Sequence, residues 1–126
     1  MTNDIAKKLL IVDDSKVSRM LVRAQIVAVH PEWTILDACS GEESIALVEK
    51  GPPDYCIMDI NMPGILGTDA AEKILEKYPS IRMVILSANI QETYQSRANA
   101  LGAAFVAKPV SEKSIALALN HFQCPK

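Results

Sequence analysis

Four stretches of this chain are continuously apolar, and each ends in a reactive polar group. Leu9-Leu10-Ile11-Val12 runs into Asp13-Asp14, and Tyr55-Cys56-Ile57-Met58 into Asp59. Met83-Val84-Ile85-Leu86 runs into Ser87, and Val106-Ala107 into Lys108-Pro109. Short apolar runs bounded in this way predict buried strands. With the more mixed run Thr34-Ile35-Leu36-Asp37-Ala38, strand candidates fall at 8–13, 34–39, 55–59, 82–87 and 104–107. Segments of helical spacing lie between and after them. In the first, Val17, Met20, Leu21, Ala24 and Ala28 share one helix face, with Ser15 as cap and Pro31 as stop. The second opens on Ser40-Gly41-Glu42-Glu43, a capping box, and stops before Gly51-Pro52-Pro53. The third covers about 68–78, with Ala70, Ala71, Ile74, Leu75 and Tyr78 on one side and Pro79 at its end. The fourth, about 90–100, is weak; Tyr94, Ala98 and Leu101 are its apolar markers and Gly102 its stop. The fifth has Ser111 as cap and Ile115, Ala118, Leu119 and Phe122 as its stripe.

Five strands alternating with five helices predict a single-domain α/β fold, a parallel sheet with helices on both faces. The first, third and fourth strands are apolar throughout, as strands covered on both faces should be. The mixed second strand belongs at an edge. Ligands of such sheets bind beyond the carboxyl ends of the strands, where the reactive residues here converge.

Composition narrows the function classes. The chain has 126 residues, 49% of them hydrophobic, which suits one domain with one core. Thirteen Lys and Arg against fifteen Asp and Glu give a net charge of −2, with no electrostatic footprint for nucleic acid. No basic cluster marks a membrane surface, and no stretch approaches the roughly 20 apolar residues of a spanning helix. The amino terminus carries an acid, and the apolar run after it is too short for a secretory signal. Cys39, Cys56 and Cys124 are odd in number and lack CxxC spacing, so they read as reduced thiols of a cytoplasmic protein. His30 and His121 read as surface residues, and Trp33 and Phe122 as packing.

Each member of the polar constellation has a plain local reading. Asp13 and Asp14 could cap a helix, Ser87 a turn, and Lys108 could be an ordinary surface lysine. Asp59 is different, because a carboxylate at the end of a buried strand costs free energy unless something pairs with it. Three carboxylates in one pocket repel, and some take up protons to stay neutral. A divalent cation removes that conflict. An all-oxygen donor set suits Mg²⁺, and the lack of His or Cys argues against zinc. Lys108, at a strand end, can reach back to the carboxylates and later to a phosphoryl oxygen. There is no GxxxxGK and no GxSxG.

With those residues placed, the chain resembles the receiver domain of two-component response regulators, the CheY-like family. The resemblance runs from Leu9 to about Phe122. It rests on Val-Asp-Asp-Ser at 12–15, Met-Asp-Ile-Asn-Met-Pro-Gly at 58–64, Leu-Ser-Ala at 86–88 and Gly-Ala-Ala-Phe-Val-Ala-Lys-Pro at 102–109. It implies one receiver domain over 1–126 with its core at about 8–122, in the doubly wound flavodoxin-like fold of strand order 2-1-3-4-5. Asp59 would be the phosphoacceptor. Mg²⁺ would bind to Asp14, Asp59 and the backbone carbonyl of Asn61, and to Asp13 through water. Ser87, Lys108 and the backbone amide of Ala88 would contact the phosphoryl group. Phe105 would be the aromatic switch residue, in a place where many members carry tyrosine, and the Lys108–Pro109 bond would be cis. A sensor histidine kinase or phosphotransfer protein would be the donor. An unknown protein would read the face of helix four, strand five and helix five, a face that also allows a homodimer. Asn61 and Asn89 flank the pocket and would tune hydrolysis of the acyl phosphate. The competing readings are a Mg²⁺ phosphatase with an aspartyl-phosphate intermediate and a pseudo-receiver used only for protein contacts. Against the phosphatase, the place two residues after Asp59 holds Asn61 rather than a second aspartate. Against the pseudo-receiver stands the complete acidic set.

Overall fold

The computed structural model describes residues 6–123. In chain order the elements are β1 (Lys8–Val12), α1 (Lys16–Val29), β2 (Thr34–Ala38), α2 (Gly41–Lys50), β3 (Tyr55–Met58), α3 (Gly67–Lys77), β4 (Arg82–Ser87), α4 (Glu92–Ala100), β5 (Ala104–Ala107) and α5 (Glu112–Gln123). All strand pairs are parallel, in the order β2-β1-β3-β4-β5, so β2 is an edge strand as its mixed sequence implies. Strand residues alternate between the two faces of the sheet. Leu9, Ile11, Ile57 and Val84 pack with Val22 and Ile26 of α1 and Ile115, Ala118 and Leu119 of α5. Leu10, Val12, Met58 and Ile85 pack with Val48 of α2, Ala70, Ala71 and Ile74 of α3, and Ala98 of α4.

Local chemistry sets the helix ends. Ser15 Oγ accepts from Ser18 N at 3.2 Å, and Ser111 Oγ accepts from Ser114 N at 3.1 Å. Ser40 Oγ accepts from Glu43 N at 3.1 Å, while the returning Glu43 carboxylate takes the amide of Cys39, one residue earlier than a capping box prescribes. Gly102, at φ +83°, ends α4 in a Schellman turn: its N–H donates to Asn99 O, and Ala103 N–H to Ala98 O.

Two sequence expectations need correction. Val17, Met20 and Leu21 of the α1 stripe are exposed by 50–65%, and Ala24 and Ala28 are exposed too. The buried face of α1 is the opposite one, Val22 and Ile26. It also carries Arg19 and Arg23, whose charges are paired with Asp37 of β2. The histidines are not fully on the surface either. His30 lies flat on Trp33, with centroids 4.0 Å apart and a side chain 19% exposed, and His121 is half-buried. Trp33 and Phe122 are buried packing residues, each in ring contact with buried Tyr55. Cys39 and Cys56 are free thiols, and burial pushes Cys56 up to about 12; Cys124 lies outside the described residues. Among the described residues, no helix is long and apolar enough to cross a membrane.

Candidate functional site

Parallel pairing puts the carboxyl ends of β1, β3, β4 and β5 on one edge, and the residues that follow them meet there. Asp13 and Asp59 sit immediately past β1 and β3, 4% and 8% exposed, while Asp14 is exposed. Carboxylate oxygens of Asp13, Asp14 and Asp59 lie within 4.8 Å of one another. Lys108, past β5, donates from Nζ to Asp13 Oδ2 at 2.8 Å and to Asp59 Oδ2 at 3.4 Å. It also reaches Ser18 Oγ at 3.4 Å. Ser18 escaped the sequence reading; its signal was its place one helical turn after Asp14. The Lys108–Pro109 bond is cis.

The loop after Asp59 is tightly built. Ile60 N donates to Asp59 Oδ1 at 2.8 Å. Gly67 opens α3 against the backbone of this loop, where a Cβ would stand 1.7 Å from the Asp59 carbonyl oxygen. Gly64 adopts φ +86°, the left-handed region open to glycine. Opposite, buried Ser87 ends β4, and its Oγ accepts from Asn89 N at 3.1 Å. Asn89 Nδ2 donates to Asn61 Oδ1 at 3.0 Å, so the two flanking asparagines touch across the pocket mouth. Asn61 and Ala88 are exposed. Phe105, on β5, is half-buried against the layer that holds α4.

The electrostatics fit a site poised for positive charge. Burial pushes the Asp59 carboxyl above the ordinary range, and the Asp13 charge adds to that. Lys108 and hydrogen bonds from Ile60 and Ser87 oppose the rise without cancelling it. At Lys108, burial works against the ammonium, but the hydrogen bond to Asp13 and the charges of Asp59 and Asp13 outweigh it, so the lysine is held above its ordinary range. Two of the three clustered carboxylates, Asp13 and Asp59, thus share one ammonium. The donor set is entirely oxygen, which suits a hard divalent cation.

A doubly wound sheet of order 2-1-3-4-5, with its acidic pocket at the strand ends, defines a CheY-like α/β protein. The family model of the response regulator receiver domain matches residues 9–120, and the chain belongs to that family. It is 34% identical over 102 residues to the transcriptional regulatory protein DegU of Brevibacillus brevis. It is also 34% identical over 93 residues to the nitrate/nitrite response regulator protein NarL of Escherichia coli strain K12. These matches take in 80% and 73% of this chain but 43% of each relative, so the chain spans less than half of their length. Among solved structures, the CheX-CheY-BeF3-Mg complex of Borrelia burgdorferi superposes with a TM-score of 0.86 at 24% identity, covering 96% of this chain and 92% of that one. A CheY-like receiver domain protein of Methanospirillum hungatei gives 0.84 at 20% identity, with 92% of each chain covered.

Proposed function

We propose that residues 1–126 act as one cytoplasmic receiver domain whose Asp59 takes a phosphoryl group from a phosphohistidine on a sensor histidine kinase or phosphotransfer protein. The observation that carries this reading is the placement of Asp59: nearly buried, held by Lys108, and flanked by Asp13 and Asp14 at the open end of the sheet. Asp14, Asp59 and the Asn61 carbonyl would hold Mg²⁺ directly, and Asp13 through water. Bound there, the ion supplies positive charge to the phosphoryl oxygens.

The protein's part in the transfer is positioning and charge neutralisation. The P–N bond of the donor breaks as a P–O bond to Asp59 forms, and the imidazole leaves with the electron pair. Lys108 stays cationic throughout. The Ser87 hydroxyl and the Ala88 amide donate to the phosphoryl oxygens. The donor brings its own histidine, and neither His30 nor His121 is needed. A donor surface lies close by. Val17, Met20, Leu21, Ala24, Val27 and Ala28 form the solvent side of α1, the helix that follows Asp14, and an exposed apolar strip of this kind fits a partner protein.

Phosphorylation adds a charge of about −1.5 to −2. Ser87 drawn toward it moves the β4–α4 connection, and Phe105 turns into the space behind. The face of α4, β5 and α5 then shifts between two pre-existing shapes, one of which a downstream protein reads. A net charge of −2 gives the domain no electrostatic footprint for nucleic acid. The Asn61 amide cannot serve as the proton-transferring acid of a phosphatase. The test is Mg²⁺-dependent labelling by a phosphorylated kinase. About one phosphoryl group per chain is expected, and none on Asp59→Asn. Label on the variant removes Asp59 from its role; many turnovers on a small phosphate ester would favour the phosphatase.

A further inference from the structure

Asp37 is out of character for its strand. β2 pairs with β1 along all five residues, and a carboxylate in the run Thr34-Ile35-Leu36-Asp37-Ala38 is half-buried there. Two guanidiniums of α1 meet it. Arg19 Nε donates to Asp37 Oδ2 at 3.3 Å, and Arg23 Nη2 donates to Asp37 Oδ1. The Arg19 side chain is 17% exposed, and its Nη1 turns away from Asp37 to donate to the backbone carbonyl of Asp13 at 2.7 Å.

That carbonyl belongs to the peptide plane joining Asp13 to Asp14. The rest of Asp13 is already held. Its N–H donates to Ala38 O at 3.1 Å, one carboxylate oxygen accepts from Ser15 N, and the other from Lys108 Nζ. Exposed Asp14 is aimed by the plane that precedes it, because a planar peptide leaves only two soft torsions per residue. Charge matters as well. A bare guanidinium this close to the pocket would repel a dication. Asp37 offsets that charge, and Arg23 lies a helical turn further along α1.

Resting on the magnesium reading above, we infer that Arg19, seated on Asp37, is a positioning residue for the cation pocket. Its grip on the Asp13 carbonyl holds the Asp13–Asp14 turn so that the carboxylates of Asp13, Asp14 and Asp59 converge before the ion arrives. Partners behind the ligands of metal sites commonly act this way.

Arg23 supplies the internal control. It ties α1 to the same Asp37 and to Ile35 O, yet makes no contact with Asp13. The experiment is a calorimetric Mg²⁺ titration of the full chain, with melting curves recorded in the absence of Mg²⁺. Arg19→Ala is expected to weaken Mg²⁺ binding about 10-fold to 100-fold, whereas Arg23→Ala stays within about twofold even as its melting temperature falls. If Arg19→Ala does not fold, Arg19→Lys serves: it keeps the charge but loses the two-armed donor, and weaker Mg²⁺ binding is again expected. Equal affinity in the Arg19 variant and the unmodified chain overturns this inference alone, and so does an equal loss in the Arg19 and Arg23 variants. No Mg²⁺ binding by the unmodified chain overturns the magnesium reading and this inference with it.

Discussion

Asp59 stands between two walls, the β1–α1 turn on one side and the β4–α4 connection on the other. In the first, Asp13 is held at its N–H, its carbonyl and both carboxylate oxygens. The second runs through exposed Ala88 and Ile90 into α4, a helix that buries one residue, Ala98. Arg97 ties that helix to α3 through Asp69 and Glu72, both at 2.7 Å, and Thr68 at 3.2 Å. So the first wall is fixed by bonds to a buried residue, Asp13, and the second by half-exposed charges. The division suits the proposed chemistry. An octahedral cation needs its ligands in place, whereas a reporter of phosphorylation must move at small cost.

Lys108 gives the sharpest way to break this picture, because its ammonium joins Asp13 of the fixed wall to Asp59. Lys108→Ala should slow labelling of Asp59 by acetyl phosphate about 10²-fold to 10³-fold, the usual loss when one preorganised charge donor is removed. A loss below about tenfold would mean that the fixed wall works without its cation. The fold also depends on this residue. Its pKa is raised, so its stabilising contribution is fully present at neutral pH and disappears only as pH rises past the ordinary lysine value of 10.5.

Asp59→Asn has a smaller effect, of opposite sign, on stability. The Asp59 pKa is raised in the folded protein, so its anion disfavours the fold at neutral pH. The amide removes that cost. Thermal melts in Mg²⁺-free buffer at pH 7 should show the variant more stable, each kcal/mol of gain raising the melting temperature by roughly 4 °C in a domain of this size. The gain should shrink as pH falls through the raised native value toward 3.8 and vanish below it, where both states are protonated. A variant no more stable at pH 7 would place the Asp59 anion in a satisfied setting, with the fixed wall bearing no strain.

Much of this site is written in the sequence, because buried parallel strands leave little freedom. Uninterrupted apolar runs ending at Asp13, Asp59, Ser87 and Lys108 must lie side by side, and their ends must meet. What pairs across the fold is not written. Hydrophobic periodicity put Val17, Met20 and Leu21 on the working face of α1, because it treats every arginine as solvent-facing. Arg19 and Arg23 face inward, since Asp37 and backbone carbonyls satisfy them. Asp37 itself read as a mark of an edge strand, which it is, but its partner on α1 lies 18 residues away. The same blindness hid the contact of Asn61 with Asn89. The weakness of α4 was legible in its thin apolar pattern; the clamp at Arg97 was not.

That clamp sets the smallest and most discriminating effect. Arg97 is partly exposed, and exposed ion pairs contribute about 0.2–1 kcal/mol each. Arg97→Ala removes two such pairs and should therefore lower global stability by no more than about 2 kcal/mol. Its local effect should be larger than that figure implies, because α4 buries little else to replace the lost ties. Hydrogen exchange should quicken at the amides of α4 and leave those of β1 and α1 unchanged. Salt gives a second control. At 1 M the Debye length falls to about 3 Å, so the unmodified protein should lose protection in α4 and approach the variant, while the β1–α1 turn, built around buried Asp13, keeps its own. If Arg97→Ala loosened α1 as much as α4, the two walls would be one cooperative unit, and the proposed phosphorylation could not move one without disturbing the proposed metal ligands of the other.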